Sequence, residues 1–246
     1  MPELLPLLIP AFAAGVVNSI AGGGTLLTFP ALLAAGLPSV TANATSAVAL
    51  VPGSFASWWG YRGVESTRRT LVALGVPSLV GGGIGAGLVL VTGDRVFALL
   101  VPWLILGATF LFVVQDRLSR LKKRSASLAA VVTFQFLVSV YGGYFGAGMG
   151  ILMLAAHGYL GVDDIHQLNC IKSFCAVCIN GVAAVTFIAL GRVRWPPALV
   201  MAGGAIVGGY AGAVLARRVP RVWVRRSVEA IGFVIAAIMF WKQLAG

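Results

Sequence analysis

The sequence predicts an all-α polytopic membrane protein built from two inverted structural repeats, each a broken or re-entrant helical hairpin followed by three transmembrane helices. Three observations carry this reading: long apolar stretches almost without charge, a glycine pattern that recurs 127 residues apart, and basic residues confined to a few loops. Hydrophobic residues make up 59% of the 246 and charged residues 10%, far below the roughly 25% of soluble domains. A soluble fold of this size has no core large enough to hide so much apolar surface, so lipid is the solvent.

The apolar stretches run at about 4–36, 41–60, 70–92, 96–114, 128–161, 168–190, 197–215 and 228–245, with no interval long enough for a soluble domain. The N-terminus, MPELLPLLIPAFAAG, ends in an Ala-x-Ala-like run, but its early charge is Glu3 rather than a basic cluster. It is expected to stay in the mature protein. The net charge of +11 does not point to nucleic acid, because the Arg and Lys residues lie in short loops between spans, where they write topology.

The first stretch carries Gly22, Gly23 and Gly24 at its middle, where each glycine costs a helix roughly 1 kcal/mol against alanine. Its 33 residues are too long for one straight crossing of about 30 Å and short for two. Two short helices, Leu4 to Ala21 and Thr25 to Ala35, meeting at a glycine turn are expected, with Pro30 and Pro38 as further breaks. Non-helical backbone at membrane depth survives only inside protein or beside a watery cavity.

The next span opens with TANATS, which holds Asn43, Thr45 and Ser46, and closes on Trp58, Trp59 and Tyr61, an expected interfacial aromatic anchor. Two spans at 70–92 and 96–114 follow, separated around Arg95, and the first contains Gly81, Gly82 and Gly85. The 128–161 stretch is the second expected hairpin, with Gly146 and Gly148 at its break and Ala147 and Met149 interrupting the glycines. Asp163 and Asp164 read as the start of the next helix, which holds Asn169, Lys172 and Ser173. The spans at 197–215, with Gly208, Gly209 and Gly212, and 228–245 complete the chain.

The halves restate one another. G-G-x-x-G-A-x-L occurs at Gly81–Leu88 and again at Gly208–Leu215; Gly22 and Gly24 match Gly146 and Gly148; Asn43 aligns with Asn169. Residues 1–120 and 121–246 are therefore the two expected repeats of one integral membrane domain, an arrangement typical of secondary transporters. If every stretch simply crosses, Lys and Arg divide 11 to 6 between the two sides. If 4–36 and 128–161 each return to the side they entered, the division becomes 13 to 4, setting Lys172 aside. The positive-inside rule prefers the second arrangement, in which three crossings per half make the halves inverted.

A turn between half-helices leaves backbone N–H groups and a positive dipole end, which together attract an anion. The candidate sites are thus Gly22, Gly23, Gly24 and Thr25 in the first turn and Gly146 to Gly150 in the second. The two glycine repeats at Gly81 and Gly208 read instead as close helix packing. Asn18, Gln135 and Asn180, like the other polar residues within spans, are expected to face inward. Lys172 would cost about 2.5–3.5 kcal/mol at a bilayer centre. It is expected either to attract an anion or to snorkel from about one turn inside its helix.

Arg62, Arg192 and Arg194 read as loop charges, the latter two also as an attracting ring on the outer face. His157 and His166 are weighed as proton relays against plain structural histidines. Cys170, Cys175 and Cys178 imitate part of an iron–sulfur spacing but lack a fourth ligand and read as apolar filler. A GxGxxG-like run near Gly143 has no strand–helix–strand setting. No catalytic constellation is present, so neither an enzyme nor a cofactor or metal is expected.

The segment NSIAGGGTLLTFPALLAAGLPSVTANATSAVALVPGSFAS resembles the N-terminal repeat motif of the sulfite exporter TauE/SafE family, and GAGMGILMLAAHGYLGVDDIHQLNCIKSF resembles its second copy. The resemblance covers nearly the whole chain. It implies transport of small sulfur-containing anions, such as sulfite, sulfoacetate or other organosulfonates, across the bacterial cytoplasmic membrane, usually as export. It draws attention to Gly22, Gly23, Gly24, Asn43, Thr45, Gly146, Gly148, Asn169 and Lys172; with Thr25 and Ser173 these form the expected substrate set. The expected partners are the anion, the lipid bilayer and a coupling proton, since the chain contains no ATP-binding domain. A passive anion channel and a non-transporting scaffold are the alternatives.

Overall fold

A computed structural model describes residues 2–61, 64, 68–120, 127–160, 164–216 and 221–245, and the regular structure among them is entirely helical. Arg62, Lys122, Asp163, Arg217 and Arg218 lie outside the described residues.

Both expected hairpins are present. A 3-10 helix, Pro2–Leu7, leads into α1 (Leu8–Ile20), and after a four-residue break comes α2 (Thr25–Ala34). In the second half α5 (Leu128–Tyr144) breaks before α6 (Met149–His157), which runs into a 3-10 turn at Gly158–Leu160. The glycines make the breaks because the backbone there is left-handed: φ is +77° at Gly22, +78° at Gly146 and +74° at Gly148. With 10 residues in α2 and 9 in α6, each reaches about half of a ~30 Å hydrocarbon layer at 1.5 Å per residue.

The remaining helices are α3 (Ser39–Gly60), α4 (Arg68–Arg120), α7 (Ile165–Ala189), α8 (Trp195–Leu215) and α9 (Arg221–Ala245). The two spans expected at 70–92 and 96–114 join as α4, interrupted by non-helical backbone at Gly93 (φ 73°, ψ 163°). The apolar part of α4 is 47 residues long, about 70 Å if straight, so Gly93 divides it into two crossing segments. Just beyond the break, Asp94 Oδ1 accepts the N–H of Val40 at 2.8 Å and so satisfies the start of α3. Asp164 does the same for α7 by accepting from His166 N–H at 2.9 Å, as expected of a helix start. α4, α7 and α8 are long and apolar enough to cross a membrane. α3 is also long, but it is rich in buried Ser, Thr and Asn; it packs among α1, α7 and α8, so it needs no lipid-facing surface all round.

The glycine repeats pack the halves together. Gly208 on α8 lies against the carbonyl of Phe12 on α1, and Gly209 against Gly53 on α3, so closely that a Cβ would clash. Reciprocally, Gly85 on α4 lies against Val140 of α5, and Gly143 of α5 against Gly82. Each motif thus receives the first hairpin helix of the other half, as expected of small residues in membrane interfaces. Large apolar side chains such as Ile9, Val91, Leu199 and Trp241 face outward, where lipid replaces a soluble protein's polar surface.

One part of the expected aromatic anchor is corrected. Trp59 is half-exposed, but Tyr61 is buried, and its hydroxyl donates to the carbonyl of Ser19 at 3.3 Å. The chain leaves α3 beside the end of α1, and Tyr61 fills that corner instead of reaching headgroups.

Candidate functional site

The two glycine turns meet tip to tip. A Cβ on Gly22 would collide with the backbone of Gly150, and one on Gly150 would lie 2.6 Å from the Cα of Gly22. Gly23 approaches Gly148 N, and Gly146 approaches Thr25 Oγ1, at 3.6 and 3.7 Å from the position of a Cβ. Gly22, Gly23, Gly24 and Thr25 are thus brought together with Gly146, Gly148 and Gly150.

The expectation of free amides in the first turn is not met at three positions, and the first of these, Gly22 N–H, donates to Val17 O at 2.8 Å. Asn18 Oδ1 accepts from Gly23 N–H at 3.0 Å and from Gly24 N–H at 2.7 Å. An amide oxygen has two lone pairs, and here both are spent on the donors assigned beforehand to an anion. In the second turn Tyr141 has the bracing role, its hydroxyl donating to Ala147 O at 2.5 Å.

Lys172 stands two turns inside α7, not one, because the helix begins at Ile165. Its side chain is 1% exposed, so it does not snorkel. The ammonium donates to the carbonyls of Asn18 and Ser19, both at 2.8 Å, and to Asn169 Oδ1 at 2.9 Å. The two carbonyls close α1, whose C-terminal dipole end favours a cation. Asn169, fully buried, is thereby a holder of Lys172, and its Nδ2 has no hydrogen-bond partner among the described residues.

Beside the ammonium, a small cavity is lined by Gly22, Gly150, Lys172, Ser54, Ser57 and Ser173, together with Asn18, Met149 and Ala176. Ser57 donates to Ser19 Oγ at 2.9 Å and shares a 3.1 Å bond with Ser173. The room inside, about 10 Å³, matches one water. The site is narrow, and the touching glycine turns form one wall.

Asn43 and Thr45 do not reach this cavity. Asn43 Nδ2 donates to Tyr144 O at 3.0 Å, at the end of α5, and Thr45 Oγ1 accepts from Arg194 N–H at 3.1 Å, at the start of α8. Ser46, which aligns with Lys172 when Asn43 is set on Asn169, instead bonds Thr28 at 2.6 Å. Close by, Phe29, Phe97 and Phe145 pack edge to face, with centroids 5.4 to 6.2 Å apart. The position of Lys172 therefore borders a charged, hydroxyl-lined cavity, and the matching position of Ser46 lies near an aromatic filling. Equivalent residues do different work.

Ser54, Ser57 and Ser19 were not expected at the site. The signal was present in SFAS, which sets two hydroxyls three residues apart on one face of the helix.

His157 lies in a separate buried network. Ser78 and Ser139 donate their protons to Leu74 O and Gln135 O, both at 2.6 Å, so they accept from Gln135 Nε2. Gln135 Oε1 then faces His157 Nε2 at 2.9 Å, which fixes that nitrogen as the donor. His166 packs beside Tyr61. Arg192 and Arg194 are exposed, and Cys170, Cys175 and Cys178 are free thiols, two of them buried.

Residues 7–239 match the family model described as sulfite exporter TauE/SafE. The chain is 28% identical over 236 residues to a probable membrane transporter protein of Haemophilus influenzae, covering 94% of this chain and 92% of that one. It is 27% identical to the probable membrane transporter protein YfcA of Escherichia coli K12, over 95% and 87% of the two chains. A probable membrane transporter protein, ORF9, of a Sinorhizobium species is 27% identical over 84% and 80%.

Proposed function

The chain belongs to the sulfite exporter TauE/SafE family and is a membrane transporter; from that premise we propose that it is a secondary carrier of small sulfur-containing anions. The substrates in this reading are sulfite, sulfoacetate or other organosulfonates, exported across the bacterial cytoplasmic membrane. Residues 1–120 and 121–246 act as inverted repeats that alternate access, driven by a proton or anion gradient.

The observation that carries the anion is Lys172, a cation 1% exposed beside a cavity between two helical breaks. A buried charge at such a place is costly, and binding an opposite charge offsets that cost. Ser54, Ser57 and Ser173 line the cavity with hydroxyls, and Gly22 and Gly150 let backbone approach the ligand. Because the cavity holds about one water, the anion enters only when the hairpin tips part. Asn43 and Thr45 serve the cycle indirectly, by tying α3 to α5 and α8.

The test is sulfite flux into liposomes containing the purified protein, with sulfoacetate, sulfate and chloride as competitors under imposed pH gradients. Saturable flux, inhibited by a sulfur anion and shifted by the gradient, supports a coupled carrier. Protein-dependent flux that neither saturates nor responds to the gradient supports a passive channel. No flux of any of these anions removes the substrate assignment.

A further inference from the structure

Within the helices, some hydroxyl side chains bond a neighbouring hydroxyl, and many return their protons to the carbonyl four residues back. Ser78 does so to Leu74, Thr92 to Leu88, Thr109 to Ile105, Ser139 to Gln135 and Thr186 to Val182. This is the ordinary resting state of a hydroxyl in an apolar helix. Ser54 departs from it. The residue lies within α3, is 3% exposed, and its Oγ has no hydrogen-bond partner among the described residues. It lines the Lys172 cavity.

A buried hydroxyl without a partner destabilises the fold, and native structures keep few of them. Where local rules are broken without structural return, function is the usual reason. Around the same cavity, Ser57 gives its proton to Ser19, Ser173 bonds Ser57, and the ammonium of Lys172 is engaged with three oxygens. Ser54 is the wall hydroxyl whose proton reaches a ligand without breaking a bond present in the structure.

We propose that Ser54 is a specificity-determining ligand of the transported anion, donating its O–H to one oxygen of a sulfur oxyanion whose charge is held near Lys172. The inference rests on reading the protein as an anion carrier and adds how it selects. Lys172 attracts negative charge of any shape. A hydroxyl is directional and rewards an oxygen lone pair at one place, so it favours an oxyanion over a spherical halide. A site built to hydrogen-bond a group discriminates far better than one that only fits it.

Two measurements on the full chain test this: thermal melting in detergent without anion, and sulfite flux in liposomes with chloride as competitor. Ser54→Ala removes no existing hydrogen bond, so its melting midpoint should equal or exceed that of the wild type. Its apparent affinity for sulfite should fall about tenfold, the effect of losing one hydrogen bond to a charged partner. Inhibition by chloride should keep its concentration dependence. Ser57→Ala, which breaks two bonds, should melt lower. Wild-type sulfite flux with unchanged affinity in Ser54→Ala overturns the role of Ser54 alone, as does an equal loss of sulfite and chloride affinity. A wild type that moves neither sulfite nor sulfoacetate overturns the carrier reading together with it.

Discussion

Lys172 donates a hydrogen bond to the carbonyl of Ser19, 153 positions earlier in the chain, at 2.8 Å. A second bond to Asn18 O, also 2.8 Å, makes the ammonium the closing partner of α1. One residue thus ties the first hairpin to α7 and sets a positive charge where the two glycine turns meet. Structural tie and anion attraction are separable, and a neutral donor separates them. Lys172→Gln keeps N–H groups for the α1 carbonyls but removes the charge. It should lose no more than about 1–3 kcal/mol of stability, the cost of leaving one buried acceptor unsatisfied. Its apparent affinity for sulfite should drop at least tenfold, read as the concentration dependence of flux beside a melting curve.

Asn18 offers a different test, because its Oδ1 already sits on two turn amides as an anion oxygen would. Asn18→Asp keeps an acceptor for both amides and places a negative charge at the cavity of Lys172. The variant should remain folded, with a melting midpoint near the wild type, and should bind sulfite poorly because its own carboxylate competes. Asn18→Ala should instead melt lower, since two amides lose their partner, at about 1–3 kcal/mol for each.

The contact between the turns predicts an asymmetry between two glycines of like conformation. Gly22 has φ +77° and abuts Gly150, whereas Gly36 has φ +84° and open space around it. Alanine at either position pays about 1–2 kcal/mol for a left-handed backbone. Only Gly22→Ala pays in addition for the collision, typically about 1–3 kcal/mol. Thermal melting should rank Gly22→Ala well below Gly36→Ala, and sulfite flux should fail in the first and persist in the second.

The proposed inverted repeats make a topological prediction. Single cysteines at Asp163 and Lys122, in a background without the native thiols, should react with a membrane-impermeant reagent from the same face, and a cysteine at Arg95 from the opposite one. Labelling of Asp163 and Lys122 from opposite faces would mean that 128–161 crosses fully.

The hairpins were legible because glycines in the middle of an apolar run have few explanations. The second helix was expected from Thr25 to Ala35 and runs Thr25–Ala34. The packing of Gly208 and Gly85 was legible for the same reason: small residues at fixed spacing bring helices close. Asn18 was recognised as inward-facing, but its hold on Gly23 and Gly24 depends on how the chain reverses after α1, which no pattern records. Lys172 was placed too shallow because its depth was counted from the apolar stretch at 168, whereas the helix already begins at Ile165 behind its Asp164 cap. Asn43 and Thr45 were grouped with Asn169 on the strength of the repeat. The matching positions make different contacts: Asn43 donates to Tyr144 O at the end of α5, whereas Asn169 accepts from the Lys172 ammonium. Ser54 was overlooked because a serine in an apolar helix ordinarily bonds its own backbone, and only three dimensions reveal that this one does not.

The most direct test of an anion carried at Lys172 is counterflow. Liposomes loaded with unlabelled sulfite would be diluted into a trace of radiolabelled sulfite, with wild-type protein and with Lys172→Gln. The account predicts transient accumulation of label in the wild type, and in the variant a half-maximal concentration at least tenfold higher. Counterflow in Lys172→Gln with the wild-type concentration dependence would contradict it, because the buried ammonium would then have no part in holding the anion.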